Sequence, residues 1–336
     1  MSTVDERLTA EGPWFEELRV GQVLHNASGL TLTEGLAATH QSIVGDRLRI
    51  ALDHEFGRRV TGQDRPPAAP SLVWDVSIGQ STSVTHHVVA NLFYRGLAFR
   101  RLPSLGDTLY SRTEVVALRQ NTVREGRPAT GLAALRITTS DQEGRPVLDY
   151  WRCAMLPLRD QGVRTGAADD LALVGTDAVA ADPGAWGWDL AAVGDLYGAA
   201  PGSLLEAGRA WSVTGGDVVS SAPELARLTL NVARAHHDDA SSASGRLVYG
   251  GHTIGVALSQ VTRAFPDILT VLSWRHCDHL GPVREGDTLA SVVDVEGTRQ
   301  LPAGRAVDLR SRVTARSVPG EEPRPVLDWR FTALFP

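Results

Sequence analysis

A motif that occurs twice constrains this chain more than any other feature. Arg145-Pro146-Val147-Leu148-Asp149 recurs as Arg324-Pro325-Val326-Leu327-Asp328, an offset of 179 residues (145 to 324). Gly106-Asp107-Thr108-Leu109 recurs as Gly286-Asp287-Thr288-Leu289, an offset of 180 (106 to 286). Aromatic residues and an arginine follow the first motif in both copies, as Tyr150-Trp151-Arg152 and Trp329-Arg330. One five-residue match could arise by chance; two unrelated matches in register argue for a duplicated domain. The length of 336 residues suits two domains, each of roughly 150 residues. The boundaries read as 1–158, a linker over 159–192 rich in Ala, Gly and Asp, and 193–336. Trp186 and Trp188 suggest that part of the linker packs down.

The order of elements is the same in both halves. In the second, Ser221 and Glu224 form a capping box with Pro223 in the first turn, and Leu225, Leu228, Thr229 and Val232 share a face. In the first, Thr33 is the N-cap before Leu36, Ala37, Ile43 and Val44. A more apolar helix follows in each half. One starts near Ser71; the other starts near Gly251, with Ile254, Ala257, Leu258 and Val261 at helical spacing. Four strand-like runs then close each half: about 89–100, 107–119, 131–140 and 146–157, and about 268–276, 287–296, 305–315 and 325–334. A helix followed by consecutive strands is an α+β pattern, in which a wrapped antiparallel sheet would bury the helix nearly all round.

Composition removes several classes. Hydrophobic residues at 43% and charged residues at 21% permit a sizeable core. A net charge of −6 without basic runs gives no polyanion groove, so no nucleic-acid partner is expected. The acidic N-terminus lacks the pattern of a signal peptide, and no stretch approaches a membrane span. Cys153 and Cys277 stand apart without a CxxC partner. Together these point to a cytoplasmic protein with no membrane contact. The chain contains no lysine, which excludes Schiff-base chemistry and a P-loop.

No GxSxG, HExxH or GxGxxG motif is present. The segment Asn231 to Gly255 instead holds an amide, a histidine five residues on (His236), and Gly250-Gly251 opening the apolar helix. A neutral histidine can activate a water, and a carboxamide can hold that water by accepting its second hydrogen. The first N–H groups of a helix lack internal partners, and glycine there lets a carbonyl approach. Each residue also has a structural reading: His236 as a satisfied core histidine, Asn231 as a helix C-cap, the glycine pair as a turn. His236, His237, Asp238 and Asp239 invite a metal reading, but adjacent residues diverge and no further ligand set is apparent. His86-His87, His276 and His279 read as surface or core fillers.

Asn231-x4-His236, followed by Arg246-Leu247-Val248-Tyr249-Gly250-Gly251-His252, resembles the pattern of the MaoC-like hydratase/dehydratase family. The likeness extends over Trp14–Gln22, Val89–Gln120, Gly144–Arg159 and Asn231–Leu258. It implies a double hotdog, with two antiparallel sheets each wrapped around a central helix, and a working site in the second half. His236 would be the general base, or the acid in reverse. Gly251 would supply the oxyanion N–H, and Gly250 and Tyr249 would contact substrate. Position 231 departs from the family, which has aspartate there; an amide takes no proton and could only orient water or substrate. In the first half Asp46 matches the family's acid, but Ala51 replaces the histidine and Pro70 the helix-start glycine. That half-site is read as dead, with Asp46 a loop or cap residue, and its pocket as a place for the acyl or pantetheine portion.

The activity so implied is reversible addition of water to a 2-enoyl thioester, a short, branched, dicarboxylic acyl-CoA such as mesaconyl-CoA. Such chemistry needs no redox cofactor and no metal. A second carboxylate on the substrate would need an arginine, with Arg246, Arg275, Arg95 and Arg100 as candidates. The alternatives are a dehydratase acting on a carrier-protein thioester and a non-catalytic acyl-thioester binding protein. Further association into a homo-oligomer is expected.

Overall fold

The structure, a computed structural model, describes residues 10–24, 28–179, 181–191, 193, 205–241, 245–302 and 304–336. Two short strands, β1 (Val23–Leu24) and β2 (Leu30–Thr31), precede α1 (Glu34–Val44). Thr33 caps α1 as the sequence suggests, its Oγ1 accepting the Leu36 N–H at 3.1 Å. Two short helices that periodicity did not reveal follow, α2 (Arg49–Leu52) and α3 (His54–Thr61). Asp53 caps the latter through the Phe56 N–H. The central helix α4 (Pro70–Gln80) leads into a 3-10 turn, Ser81–Thr85, and then into β3 (Ala90–Phe99), β4 (Thr108–Gln120), β5 (Thr130–Ser140) and β6 (Pro146–Pro157). The second half repeats this order: β7 (Ala210–Ser212), β8 (Asp217–Val218), α5 (Ala222–Leu228), α6 (Gly250–Ala264), β9 (Thr270–His279), β10 (Thr288–Gln300), β11 (Arg305–Arg316) and β12 (Arg324–Phe335).

The two antiparallel sheets, one per half, meet edge to edge through β3 and β9. The described strands thereby form one twelve-stranded sheet, with main order β1-β4-β5-β6-β3-β9-β12-β11-β10-β7. All eleven residues of α4 are buried, and Gly251 to Thr262 of α6 likewise, because each sheet curls round its helix and α4 packs on α6. One buried amide on each of these helices is anchored in the same way. The Gln80 amide donates to the Leu109 carbonyl at 2.8 Å, and the Gln260 amide to the Leu289 carbonyl at 2.9 Å.

The repeated motifs are structural. Gly106 and Gly286 turn the chain at φ +91° and +92°, a left-handed conformation that glycine adopts freely. The following Asp107 and Asp287 are buried, each accepting a backbone N–H three residues back and an arginine. Asp149 and Asp328 each hold a neighbouring-strand arginine by two bonds, Arg136 and Arg310. In the connecting segment, Trp186 donates its indole N–H to the Arg100 carbonyl at 3.0 Å, which ties it to the first half.

The capping box at the start of α5 does not form. Ser221 lies at φ 59° without a side-chain cap bond, and Glu285, from the turn before β10, accepts the Ala222 N–H instead. The helix ends at Leu228, short of Thr229 and Val232. Among the described residues no helix is long and apolar enough to cross a membrane.

Candidate active site

A cavity of about 330 Å³ opens where the N-terminal end of α6 meets the first half. The second half supplies Asn231, His236, Tyr249, Gly250 and His279. The first supplies the 3-10 turn after α4, Asn91 and Tyr94 of β3, and Arg152 of β6. The remaining wall is mostly aliphatic, including Ile78, Val88, Leu247 and Val283.

The loop carrying Asn231 and His236 is held on several sides. Leu230 sits at φ 59°, in the left-handed region, at a cost of roughly 1–2 kcal/mol for a non-glycine residue. That turn ends the approach from α5 and aims Asn231 inward. The Val232 N–H donates to Thr82 Oγ1, the Arg234 N–H to the His86 carbonyl, and the Leu247 N–H to the Ala235 carbonyl. The His237 ring and the Asn231 carbonyl lie 2.6 Å apart, closing the loop on itself.

The Asn231 side chain is buried. Its Oδ1 accepts the Ala233 N–H at 2.9 Å, which fixes the orientation of the amide. Its Nδ2 is buried without a partner. The sequence reading had this amide accept a hydrogen from water. One acceptor position of the amide is thus used within the loop, and the donor Nδ2 is the atom without a protein partner. Asp46, at the matching place in the first half, makes the same turn, with Oδ1 accepting the Leu48 N–H at 2.9 Å. Its other oxygen is taken by Ser71 of α4.

His236 places Nδ1 3.1 Å from the Leu247 carbonyl. A carbonyl only accepts, so Nδ1 carries the proton and Nε2 is left as the basic nitrogen. Burial lowers the pKa to about 4, opposed by the Leu247 bond and reinforced by His237 and Arg152. The ring is therefore neutral at pH 7.

Gly250, rather than Gly251, forms part of the wall. A Cβ on Gly250 would stand 2.6 Å from His279 Nε2; one on Gly251 would stand 1.9 Å from Asp75 Oδ1. Gly251 thus faces the packing between α4 and α6. There Asp75 bonds His40 at 2.9 Å and the Tyr249 hydroxyl donates to the Asp75 carbonyl at 3.2 Å.

Sequence reasoning missed two wall residues. His279 is partly buried against Tyr94, with Nε2 unpartnered, and loss of solvent lowers its pKa to about 4. Arg152 is 3% exposed, with Nε unpartnered. The only available signal for Arg152 was its place just after a repeated motif. The four arginines proposed for a substrate carboxylate lie elsewhere. Arg246 pairs with Glu285 at 2.9 Å. Arg275 is exposed, 3.6 Å from Asp308. Arg95 reaches the Leu171 carbonyl and covers the Phe93 ring. Arg100 pairs with Asp149 at 3.4 Å. Among the described residues no group of three or more His, Cys, Asp or Glu could hold a metal.

The duplicated cavity is closed by aromatic side chains. Trp274, Phe99 and Phe331 stand where Tyr94, His279 and Arg152 stand in the open one, at offsets of 180 (94 to 274; 99 to 279) and 179 (152 to 331). All three are buried and pack around Trp74 and Trp329. The expected acyl or pantetheine pocket in the first half is thus given over to packing. That half lends residues to the other cavity instead.

Helix-in-sheet halves joined through one sheet, with a cavity open at one of two equivalent places, define a double-hotdog protein. No family model matches the chain. A conserved hypothetical protein of Mycobacterium tuberculosis, described as having a double hotdog fold and as essential for bacterial survival during infection, is 52% identical. The match covers 96% of this chain and 98% of that one, with a TM-score of 0.90. A structure described as a MaoC domain protein dehydratase from Chloroflexus aurantiacus is 26% identical over 98% and 99% of the two chains, with a TM-score of 0.84. Among curated proteins, the β-methylmalyl-CoA dehydratase of Chloroflexus aurantiacus is 28% identical over 98% of both chains. The mesaconyl-CoA hydratase of Cereibacter sphaeroides is 25% identical over 98% and 99%. The chain is a double-hotdog protein, similar over its whole length to a MaoC-like dehydratase and to curated hydratases and dehydratases of acyl-CoA thioesters.

Proposed function

We propose that the protein is a hydro-lyase that adds water to, or removes it from, the double bond of a 2-enoyl-CoA thioester. The observation that carries this reading is the state of His236. The ring lines a partly open cavity with one nitrogen tied to Leu247 and the other free to act as a base. In hydration, Nε2 takes a proton from water as the oxygen bonds to the β-carbon. The π electrons move onto the thioester oxygen, which the Gly250 N–H at the start of α6 stabilises. The imidazolium then returns the proton to the α-carbon, so H and OH have been added and the residue is restored. The Asn231 Nδ2 donor orients the water oxygen. The role first assigned to the Gly251 N–H passes to its neighbour, because Gly250 lines the cavity.

The volume of about 330 Å³ lies at the small end of ligand sites, roughly 300–1,000 Å³. It suits a short acyl group. The names of the two curated relatives favour mesaconyl-CoA and β-methylmalyl-CoA as the substrate pair.

The test is the loss of enoyl absorbance with mesaconyl-CoA and with crotonyl-CoA, wild type beside His236→Ala. We expect turnover by the wild type and a loss on the order of 100-fold or more in the variant, the range of general-base contributions. Unchanged turnover in His236→Ala would remove the base from this residue. No turnover of either thioester by the wild type would remove the hydro-lyase reading.

A further inference from the structure

We propose that Arg152 binds a carboxylate on the acyl group, so that the half without a base sets the substrate specificity of the site in the other half. This rests on the hydro-lyase reading of the cavity. Arg152 projects from β6 into the cavity wall and is 3% exposed. Its Nη2 donates to the Ser81 carbonyl at 3.1 Å and to Thr85 Oγ1 at 2.8 Å. Both acceptors are neutral, so they orient the guanidinium without cancelling its charge. Nε has no hydrogen-bond partner.

Among the described residues no carboxylate lies within 4 Å of Arg152, whereas Arg101, Arg136, Arg310 and Arg324 all pair with aspartates. Asp75, the buried acid of α4, bonds His40 and is not part of the cavity wall. The charged side chain of the wall is therefore a single cation. Burying a charge without a counter-ion is costly, and removing one partner of a buried pair is costly for the same reason. A ligand anion would complete the pair.

The fold does not need arginine at this strand position, because the duplicate carries Phe331, buried and stacked on Trp329 with ring centroids 3.8 Å apart. The unpartnered Nε–H of a guanidinium that keeps its full charge can take a carboxylate oxygen. His236 and Arg152 line the same small cavity. A carboxylate held by Arg152 therefore belongs to the same acyl group as the carbon that receives water, as in a 2-enoyl thioester with a carboxyl group on its β-carbon. The phosphates of CoA are the other available anions, and a substrate pair differing only in the acyl group separates the two.

The experiment compares mesaconyl-CoA with tiglyl-CoA, which has the same skeleton with a methyl in place of the carboxylate. It uses the full chain as wild type, Arg152→Gln and Arg152→Lys. The wild type is expected to favour mesaconyl-CoA. Arg152→Gln should lose on the order of 100-fold in kcat/KM on mesaconyl-CoA, the worth of a charge-assisted pair, with tiglyl-CoA little changed. Arg152→Lys should recover part of the loss and reads the charge should the glutamine variant fail to fold. Equal losses on both substrates would overturn the proposal and assign Arg152 to the CoA phosphates or to the fold. A wild type that hydrates crotonyl- and tiglyl-CoA without preferring mesaconyl-CoA would overturn it too while leaving the hydro-lyase reading standing. No turnover of any of the three would remove both.

Discussion

The carboxamide of Asn231 and the imidazole of His236 are both fixed by backbone partners, the Ala233 N–H and the Leu247 carbonyl. Each is left with one free atom of defined character, a donor on Asn231 and an acceptor on His236. The spacing Asn231-x4-His236 was legible in the sequence, but the direction of the amide was not, because it depends on a turn that only coordinates reveal. Arg152 was noted only as the arginine after a repeated motif and His279 only as a filler, for another reason. They sit on strands far from the motif, and their meaning appears only beside Phe331 and Phe99 at the duplicate positions. The chemistry of His236 makes a prediction. Burial lowers its pKa from the ordinary 6.5 to about 4, so the neutral base persists well below pH 6. In the hydration direction, the acid limb of kcat/KM should fall with a midpoint near 4 rather than near 6.5. The same shift affects stability. His236, His252 and His279 are all lowered to about 4, so between pH 6.5 and 4 the unfolded chain binds more protons than the folded one. Stability is then lost as pH falls through that window. Rates must therefore be read beside circular dichroism at each pH. A limb near 6.5 in protein that is still folded would show that His236 is not the titrating base.

At the scale of elements, the start of α6 separates two glycines with different duties. Gly250 lies against His279 and the cavity, whereas Gly251 lies against Asp75 of α4. The sequence located the helix and the glycine pair correctly but assigned the ligand-facing role to the second glycine. Which of two adjacent N–H groups faces a cavity depends on the rotation of the helix against α4, and periodicity leaves that rotation open. Substitution should tell them apart. In Gly251→Ala the new methyl meets a carboxylate on a fully buried helix, and overpacking of this kind costs about 1–3 kcal/mol. The melting temperature should drop by several degrees. In Gly250→Ala the methyl meets the end of the His279 side chain and narrows the approach to the helix N–H, so kcat/KM should fall with a smaller loss of stability. Thermal melts and enoyl-absorbance kinetics on both variants decide it; the reverse pattern would return the oxyanion role to Gly251. The start of α5 teaches the same lesson about local signals. Ser221 and Glu224 have the spacing of a capping box, yet Ser221 sits in the left-handed region without a side-chain cap bond, and Glu285 from a distant turn takes the neighbouring Ala222 N–H.

At the scale of the whole molecule, the duplication explains both what the sequence could disclose and why the two halves act as one. The repeated Gly-Asp and Arg-Pro-Val-Leu-Asp motifs marked two copies of one scaffold, since each Asp is consumed in the same turn or strand pairing in both. What the copies do not share is the lining of their two pockets. One keeps Arg152, His279 and Tyr94; the other holds Phe331, Phe99 and Trp274. The aromatic pocket lies where the halves meet: Trp74 of α4 approaches Trp274 of β9 at 4.9 Å and Trp329 of β12 at 6.0 Å between ring centroids. The core runs through both halves without a break, and β3 and β9 share hydrogen bonds. Aromatic side chains in the second pocket therefore give cohesion between the halves where the first pocket stays open. Trp274→Ala should destabilise the protein by about 3–5 kcal/mol, the usual cost of emptying a buried aromatic position. Because the side chain removed packs against both halves, unfolding should remain a single transition, shifted to lower temperature, with enoyl turnover lost over that same transition. The variant should gain no second site, since Ala51 and Pro70 offer neither a base nor a free N–H where His236 and the α6 glycines stand. Calorimetry on the wild type and on Trp274→Ala tests this. Two separated transitions in either protein, or a stability unchanged by the substitution, would mean that the halves are held together elsewhere than at the aromatic pocket.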